Sequence, residues 1–405
     1  MKVAIVAPWF SDTIAGGAER FAGGIARCLQ DAGCSVEILT TCGKDSFWDW
    51  GTDFYKPGIY AVGDLSVRRF SLRKRNKLLY EELLGQLINK KELKYTEEMQ
   101  LLLETVNSDE LNAFIFERAS EYLFLFIPYL YGTTFWGSRI CPAHSFIVPC
   151  LHDEDMAYFK SIGHMLQRAA GLLFNTIEEQ ELAVKLHSVS IEKSVISGGG
   201  VEVNYIPNPH SFRAKYNIQD DYYIYVGRQV TGKNVPQLIE YFNRYVKENN
   251  PKEKLIFVGK GEEHLIELMK ASPNILHIGE LSEEEKYDAI GGSVALIQPS
   301  LMESFSIVIM ESWLCSTPVI VHESCVVTKG HADRSQGGLY YKDYNSFVEI
   351  MRKFQDQSLE CNDLGIMGKA YVKSEYTWEK TAERILDFFE KSGFSREVLI
   401  NENIN

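Results

Sequence analysis

The sequence lacks a basic excess. Its 42 Lys and Arg stand against 55 Asp and Glu, a formal net charge of −13. A nucleic-acid binder needs a cationic footprint to displace counterions, so that class is disfavoured. No apolar run approaches the ~18 residues of a membrane span. The opening, Met1-Lys-Val-Ala-Ile-Val-Ala-Pro8, has no charged n-region, h-region or cleavage site, and is read as a first strand. Cysteine is sparse and dispersed, eight in 405 residues with no CxxC pair. That disfavours a disulfide frame or a zinc cluster and suits the reduced core thiols of a cytoplasmic protein. A GxGxxG run is also missing, and with it the dinucleotide fingerprint of a dehydrogenase. There is no internal repeat and no low-complexity segment.

What is present is the alternation of an α/β protein, in a chain of 405 residues with 45% hydrophobic and 24% charged content. That length allows two domains, each with its own core. Val294-Ala-Leu-Ile-Gln298 has the length of a buried strand and is stopped by Pro299-Ser300. Ser304 or Ser306 can cap a following helix whose apolar face carries Phe305, Ile309 and Trp313. Cys315-Ser-Thr-Pro318 ends that helix, and 319–321 reads as the next strand. Counted as helix from Glu303, the stretch to Glu311 rises about 12 Å, close to the span from hexose to ribose in a nucleotide diphosphate sugar. The N–H groups of Ser304, Phe305 and Ser306 would open on the carboxyl ends of the strands, where a diphosphate is favoured. Two glutamates flanking an apolar helix can also be exposed caps. The strand before them and the restart at Thr317-Pro-Val-Ile320 favour a site.

The same logic applies elsewhere. Lys2 to Ala7, a loop holding Gly16-Gly17, a helical stretch to Gly33 and a strand over 36–41 open a Rossmann-like half. The glycine pair either lets backbone approach a ligand at the helix mouth or is a simple turn. After the apolar Ser145-Phe-Ile-Val148 comes His152-Asp153-Glu154, at a strand end where α/β sheets place ligand contacts. His152 could donate to a phosphate oxygen or sugar hydroxyl, or hold a structural bond with Asp153. The acids at 153–155 lack a partner cluster of metal-binding spacing. Thr176 reads as the N-cap of a helix with acids in its first turn. Past 221–226, Gly227 is followed by Arg228 and Lys233, five residues apart. Arg chelates phosphate oxygens and Lys adds a point charge, which suits a diphosphate, although two surface cations on a loop would read alike. Cations crowd 68–94 among leucines. That pattern fits docking on an anionic membrane surface or a solvated helix face.

Pro299-Ser300, Glu303 to Glu311 and Thr317-Pro-Val-Ile320 resemble the signature of retaining glycosyltransferases of family 4, with Ser304 and Ser306 where that family writes glycine. Gly16-Gly-Ala-Glu-Arg20 resembles its N-terminal glycine loop, Gly227-Arg228 with Lys233 its diphosphate clamp, and His152 its strand-end histidine. The resemblance implies the GT-B fold, an α/β architecture of two Rossmann-like domains with parallel sheets facing each other across a cleft. An acceptor domain would span 1–203, completed by a crossover helix in 376–405. A linker would cover 204–219 and a donor domain 220–375. Implied is transfer, with retention, from a UDP-, GDP- or dTDP-linked sugar to a hydroxyl of a glycan, lipid-linked or small-molecule acceptor. The setting would be cell-surface polysaccharide synthesis, in the cytoplasm or at the inner membrane face, with no cofactor or metal required.

The resemblance also assigns roles. Arg228, Lys233 and the amides of Ser304, Phe305 and Ser306 would hold the diphosphate, and Glu311 the ribose. Glu303 would hold sugar hydroxyls or shield charge at the anomeric carbon. Gly259 and Ile278 would pack on the nucleobase. His152, Gly16 and Gly17 would close from the opposite domain. A non-catalytic sugar-nucleotide-binding subunit and a GT-B epimerase remain alternatives.

Overall fold

The computed structural model describes residues 1–11, 16–356, 361 and 363–395. The parts of the expected glycine loop and C-terminal segment that fall on 12–15 and 396–405 lie outside the described residues.

The chain divides into two units, Met1–Gly200 with the segment from Trp378, and Val201–Thr377. In the first unit the strands are β1 (Lys2–Val6), β2 (Ser35–Thr41), β3 (Gly58–Val62), β4 (Leu65–Phe70), β5 (Leu123–Phe126), β6 (Ser145–Ile147), β7 (Gly171–Phe174) and β8 (Ser194–Ile196). They lie in the order β3-β4-β2-β1-β5-β6-β7-β8. All pairs are parallel except the β3–β4 hairpin at the edge. The second unit has β9 (Tyr222–Val226), β10 (Lys254–Val258), β11 (Ile275–Gly279), β12 (Leu296–Gln298), β13 (Val319–His322) and β14 (Gly338–Tyr341). Its sheet is parallel throughout, in the order β11-β10-β9-β12-β13-β14.

The central strands are apolar at nearly every position because both faces of each sheet are covered there, whereas the edge strand β3 is largely exposed. Val6, Phe124, Phe126, Ile147 and Phe174 fill one face of the first sheet, and Val3, Ile5, Ile38, Leu125 and Val148 the other. The second sheet alternates likewise, with Tyr223, Tyr225, Phe257 and Ile297 opposite Tyr222, Ile224, Ile256 and Leu296. In each sheet the chain starts near the middle and builds outward both ways. Strand order therefore reverses between β1 and β5 and between β9 and β12, and loops leaving those adjacent carboxyl ends are thrown together.

The helix Trp378–Lys391 buries Ala382, Ile385, Leu386, Phe388 and Phe389 in the first unit's core. Phe389 meets Phe146 at 4.6 Å between ring centroids. The expected linker over 204–219 is corrected by the structure. Pro209–Tyr216 is a helix capped by Asn208, and its Phe212 is buried against Tyr222 in the second core. One apolar anchor among polar residues was enough to order it.

Several cations of the basic stretch are used inside the first unit. Arg69 is buried, donates to the Phe10 carbonyl at 2.8 Å and lies 4.0 Å over the Tyr55 ring. Arg68 pairs with Glu37 at 2.9 Å, Lys90 with Asp155 at 2.8 Å, and Arg75 stacks on Tyr80 at 4.5 Å. Among the described residues no helix is long and apolar enough to cross a membrane.

Phe389→Ala should destabilise the first unit by about 3–5 kcal/mol, the usual cost of deleting a buried ring. Chemical denaturation followed by Trp fluorescence reads it, and a cost near zero would contradict the helix docking.

Candidate functional site

The second sheet supplies the main constellation. From β9 the chain passes through Gly227 and Arg228 to a single 3-10 turn, Thr231–Lys233. From β12 it enters the loop Pro299–Ser306. The two loops are joined by an ion pair, Lys233 Nζ to Glu303 Oε1 at 2.8 Å, with side chains 25% and 11% exposed. Asn234 adds a bond to the Pro299 carbonyl at 3.1 Å. Arg228 is exposed beside them, its carbonyl accepting from the Tyr225 hydroxyl at 2.7 Å. Burial, and then the Glu303 charge, push that hydroxyl well above the usual tyrosine range.

Glu303 is in the loop and not on the helix, contrary to the sequence count. Ser306 adopts φ 67°, ψ 73°, which halts helical geometry, so the helix runs only over Ile307–Leu314. The ~12 Å helical rise between the two acids therefore does not apply, and Ser304 and Phe305 are not first-turn residues. The left-handed backbone at Ser306 is the conformation glycine adopts without cost, and here a serine holds it. Phe305 is 4% exposed and packs edge-on against Tyr376 at 5.2 Å, so only its backbone can serve a ligand.

Glu311 is 2% exposed and held from the neighbouring helix Glu283–Gly291. Lys286 Nζ lies 2.8 Å from its Oε1, and the Tyr287 hydroxyl donates to the same oxygen at 3.4 Å. Sequence reasoning missed Lys286, because Glu-Glu-Glu-Lys reads as a solvated face. The available signal was its spacing to buried Ala289 and Ile290, three and four residues on.

Gly227, Gly259 and Gly279 end or follow three neighbouring strands with φ of 148°, 124° and 85°. The Gly227 amide donates to the Val258 carbonyl at 3.0 Å, and the Gly259 amide to the Gly279 carbonyl at 2.7 Å. A Cβ on Gly259 would collide with the Gly227 carbonyl, so these loops meet at backbone distance. Ile278 is partly buried against the second core.

In the first unit, Gly16 caps the helix Gly17–Asp31 with ordinary extended geometry, and a Cβ there would collide with the Glu19 carboxylate. Glu19 accepts from the Trp9 indole, and Trp9 meets Tyr131, from the loop after β5, at 4.9 Å. His152 follows β6. Its Nδ1 is 3.7 Å from Glu154 Oε1, which accepts from the Tyr129 hydroxyl at 2.9 Å. The alternative bond to Asp153 is not made; Asp153 accepts from the Tyr158 hydroxyl at 2.6 Å. Burial presses the Glu154 carboxyl upward, but bonding and charge from His152, with the Tyr129 hydroxyl, hold it below its ordinary value. The loop bearing His152 is pinned by Glu179, which accepts from the amides of Leu151 at 2.6 Å and Asn175 at 2.7 Å. Burial pushes the Glu179 carboxyl up to about 8, against those donors. Among the described residues no three His, Cys, Asp or Glu side chains converge as a metal set.

The arrangement at β9 and β12 offers cations, loop amides and acids at the ends of parallel strands. Residues 210–371 match the family model of Glycosyl transferases group 1. That stretch contains Arg228, Lys233, Lys286, Glu303 and Glu311. Comparison of the whole sequence with curated proteins returned no match. Solved structures give the fold. Sucrose-phosphate synthase from Thermosynechococcus elongatus superposes with TM-score 0.71 at 15% identity, over 96% of this chain and 98% of that one. Trehalose-6-phosphate from E. coli, bound with UDP-2-fluoro glucose, gives 0.72 at 10%, over 98% and 100%. HepE of Anabaena in complex with UDP gives 0.69 at 13%, over 96% and 100%. The chain thus has the GT-B fold of two Rossmann-like α/β units, with the group 1 match lying in the second.

Two outcomes follow from the geometry. Glu179 binds its proton more tightly folded than unfolded. Its contribution is therefore present below about pH 4.5 and lost as pH rises through about 8. Glu179→Gln should flatten the fall in stability across that window, measured by urea unfolding at stepped pH. Ser306→Val should cost roughly 1–2 kcal/mol more than Ser306→Gly, the price of a branched side chain in the left-handed region. Equal stabilities would contradict the backbone assignment.

Proposed function

We propose that the chain is a retaining glycosyltransferase of family 4, moving a sugar from a nucleotide diphosphate sugar to a hydroxyl acceptor. The observation that carries the reading is the Lys233–Glu303 pair where strand order reverses, beside Arg228. A cation and an acid held in one contact can part to serve a phosphate and a sugar. Arg228 and Lys233, with the amides of the 304–306 loop, take the diphosphate and the charge that builds on it as it leaves. Glu303 holds sugar hydroxyls or faces the positive charge at the anomeric carbon, and Glu311 binds the ribose hydroxyls. Gly259 and Ile278 border the base.

In the step itself the bond from the anomeric carbon to the phosphate oxygen breaks, and its electron pair stays with the diphosphate. The acceptor oxygen bonds to that carbon on the same face, and its proton passes to the departing phosphate oxygen. Protein side chains need supply only binding and electrostatics, so no cofactor enters the step. The first unit, with His152, Gly16 and Gly17, is read as the acceptor side. The acceptor is a glycan, a lipid-linked sugar or a small molecule in polysaccharide synthesis. The work is done in the cytoplasm or at the inner membrane face, with residues 68–94 as the surface for any peripheral contact.

A thermal-shift panel of UDP-, GDP- and dTDP-sugars tests donor binding, since a ligand at 100 times its Kd adds about 2.7 kcal/mol. Arg228→Ala or Lys233→Ala should lower donor-dependent turnover roughly 100-fold. Near-wild-type rates would remove the clamp. Binding without hydrolysis or transfer from any donor would favour a non-catalytic subunit.

A further inference from the structure

The Glu311 carboxylate cannot stand alone where it is. It is 2% exposed, and a carboxylate at that depth needs a charge partner to offset its lost hydration. Lys286 is that partner, at 2.8 Å and itself 12% exposed, with Tyr287 on the same oxygen. Both come from the helix after β11, whereas Glu311 sits on the helix after β12. The grip therefore crosses between elements, and neither helix sets it alone. The helix Glu283–Gly291 is anchored by its Ser282 cap and by buried Tyr287, Ala289 and Ile290, so the ammonium is presented from a rigid base. Glu283 lies 3.8 Å from the same ammonium and is exposed, a weaker and more screened partner.

We propose that Lys286 is a positioning residue for recognition of the ribose. It holds the Glu311 carboxylate turned so that the acid can accept from the sugar hydroxyls of a ribonucleoside diphosphate. The inference rests on the reading of Glu311 as the ribose acid. A carboxylate acceptor discriminates ribose from 2′-deoxyribose, because loss of the hydroxyl removes one hydrogen bond to a charged group. Lys286 makes that discrimination possible without touching the nucleotide.

The test measures Kd by calorimetry for UDP, GDP and their 2′-deoxy analogues, on wild type, Lys286→Met and Lys286→Arg. Wild type should prefer the ribonucleotide it binds by roughly 10-fold or more, the worth of a charged hydrogen bond. Lys286→Met should erase most of that preference, raising Kd for the ribonucleotide far more than for its deoxy analogue. Lys286→Arg, which keeps the charge, should restore most of it. A Lys286→Met protein that keeps the wild-type ratio overturns the inference while leaving the donor reading intact. The wild-type ratio needs no variant to fold, and a ratio near one overturns the inference as well. If wild type binds neither ribonucleotide, the donor reading fails first and the inference falls with it.

Discussion

Two carboxylates of the second unit are withdrawn from water and each is met by a cation, and these meetings tie together elements far apart in its chain. Glu303 and Glu311 are both mostly buried, and each is matched by a lysine at 2.8 Å delivered from a different element. Taking one partner from a buried pair costs about 3–5 kcal/mol, largely because the other charge is left uncompensated, so each pair fixes which elements lie side by side. The sheet makes these meetings possible. Because β9 and β12 are neighbours although some 70 residues separate them in the chain, the loop after each reaches the other.

The same interactions leave the site poised. Lys233 pairs with Glu303 in a place only partly closed to water, where the pair can be traded for a bound anion and a hydroxyl. Lys286 and Glu311 are deeper, and there the pair is better suited to holding still than to exchanging. Depth separates the two acids by what each can do. The three glycines at the strand ends, all with positive φ, add a surface of bare backbone, and at Gly259 the Gly227 carbonyl leaves no room for a side chain.

In the first unit, charge is spent on construction. Arg69 is buried against the Phe10 carbonyl and the Tyr55 ring, and Glu179 ties two strand-end loops together through their amides. A basic segment that could be taken for an outward-facing surface has several of its members turned inward or paired. The loop carrying His152 owes its place to Glu179, a residue with no distinguishing sequence context beyond a helix first turn. A buried carboxyl accepting two amides fixes a loop more rigidly than the loop's own composition could.

Strand length, apolar continuity and breaker residues determined the alternation on their own, because a strand covered on both faces must be apolar at nearly every position. The cap at Thr176 was equally legible, since a side-chain oxygen three residues before an amide is a local arrangement. The candidate cations and acids could be named from the strand ends that carry them. Their partners could not. Lys286 looked like one more charge in a solvated run, the helix over 209–216 looked like linker, and of the two caps offered for the helix of Glu311 it is Ser306 that precedes it, which leaves Glu303 in the loop. Each of those was decided by tertiary contact: a neighbouring helix that buries the lysine, a core that claims Phe212, and a left-handed turn at Ser306 set by the packing around it. Local chemistry is written in neighbouring residues, whereas burial, and with it the pairing of charge, is a property of what the fold brings alongside.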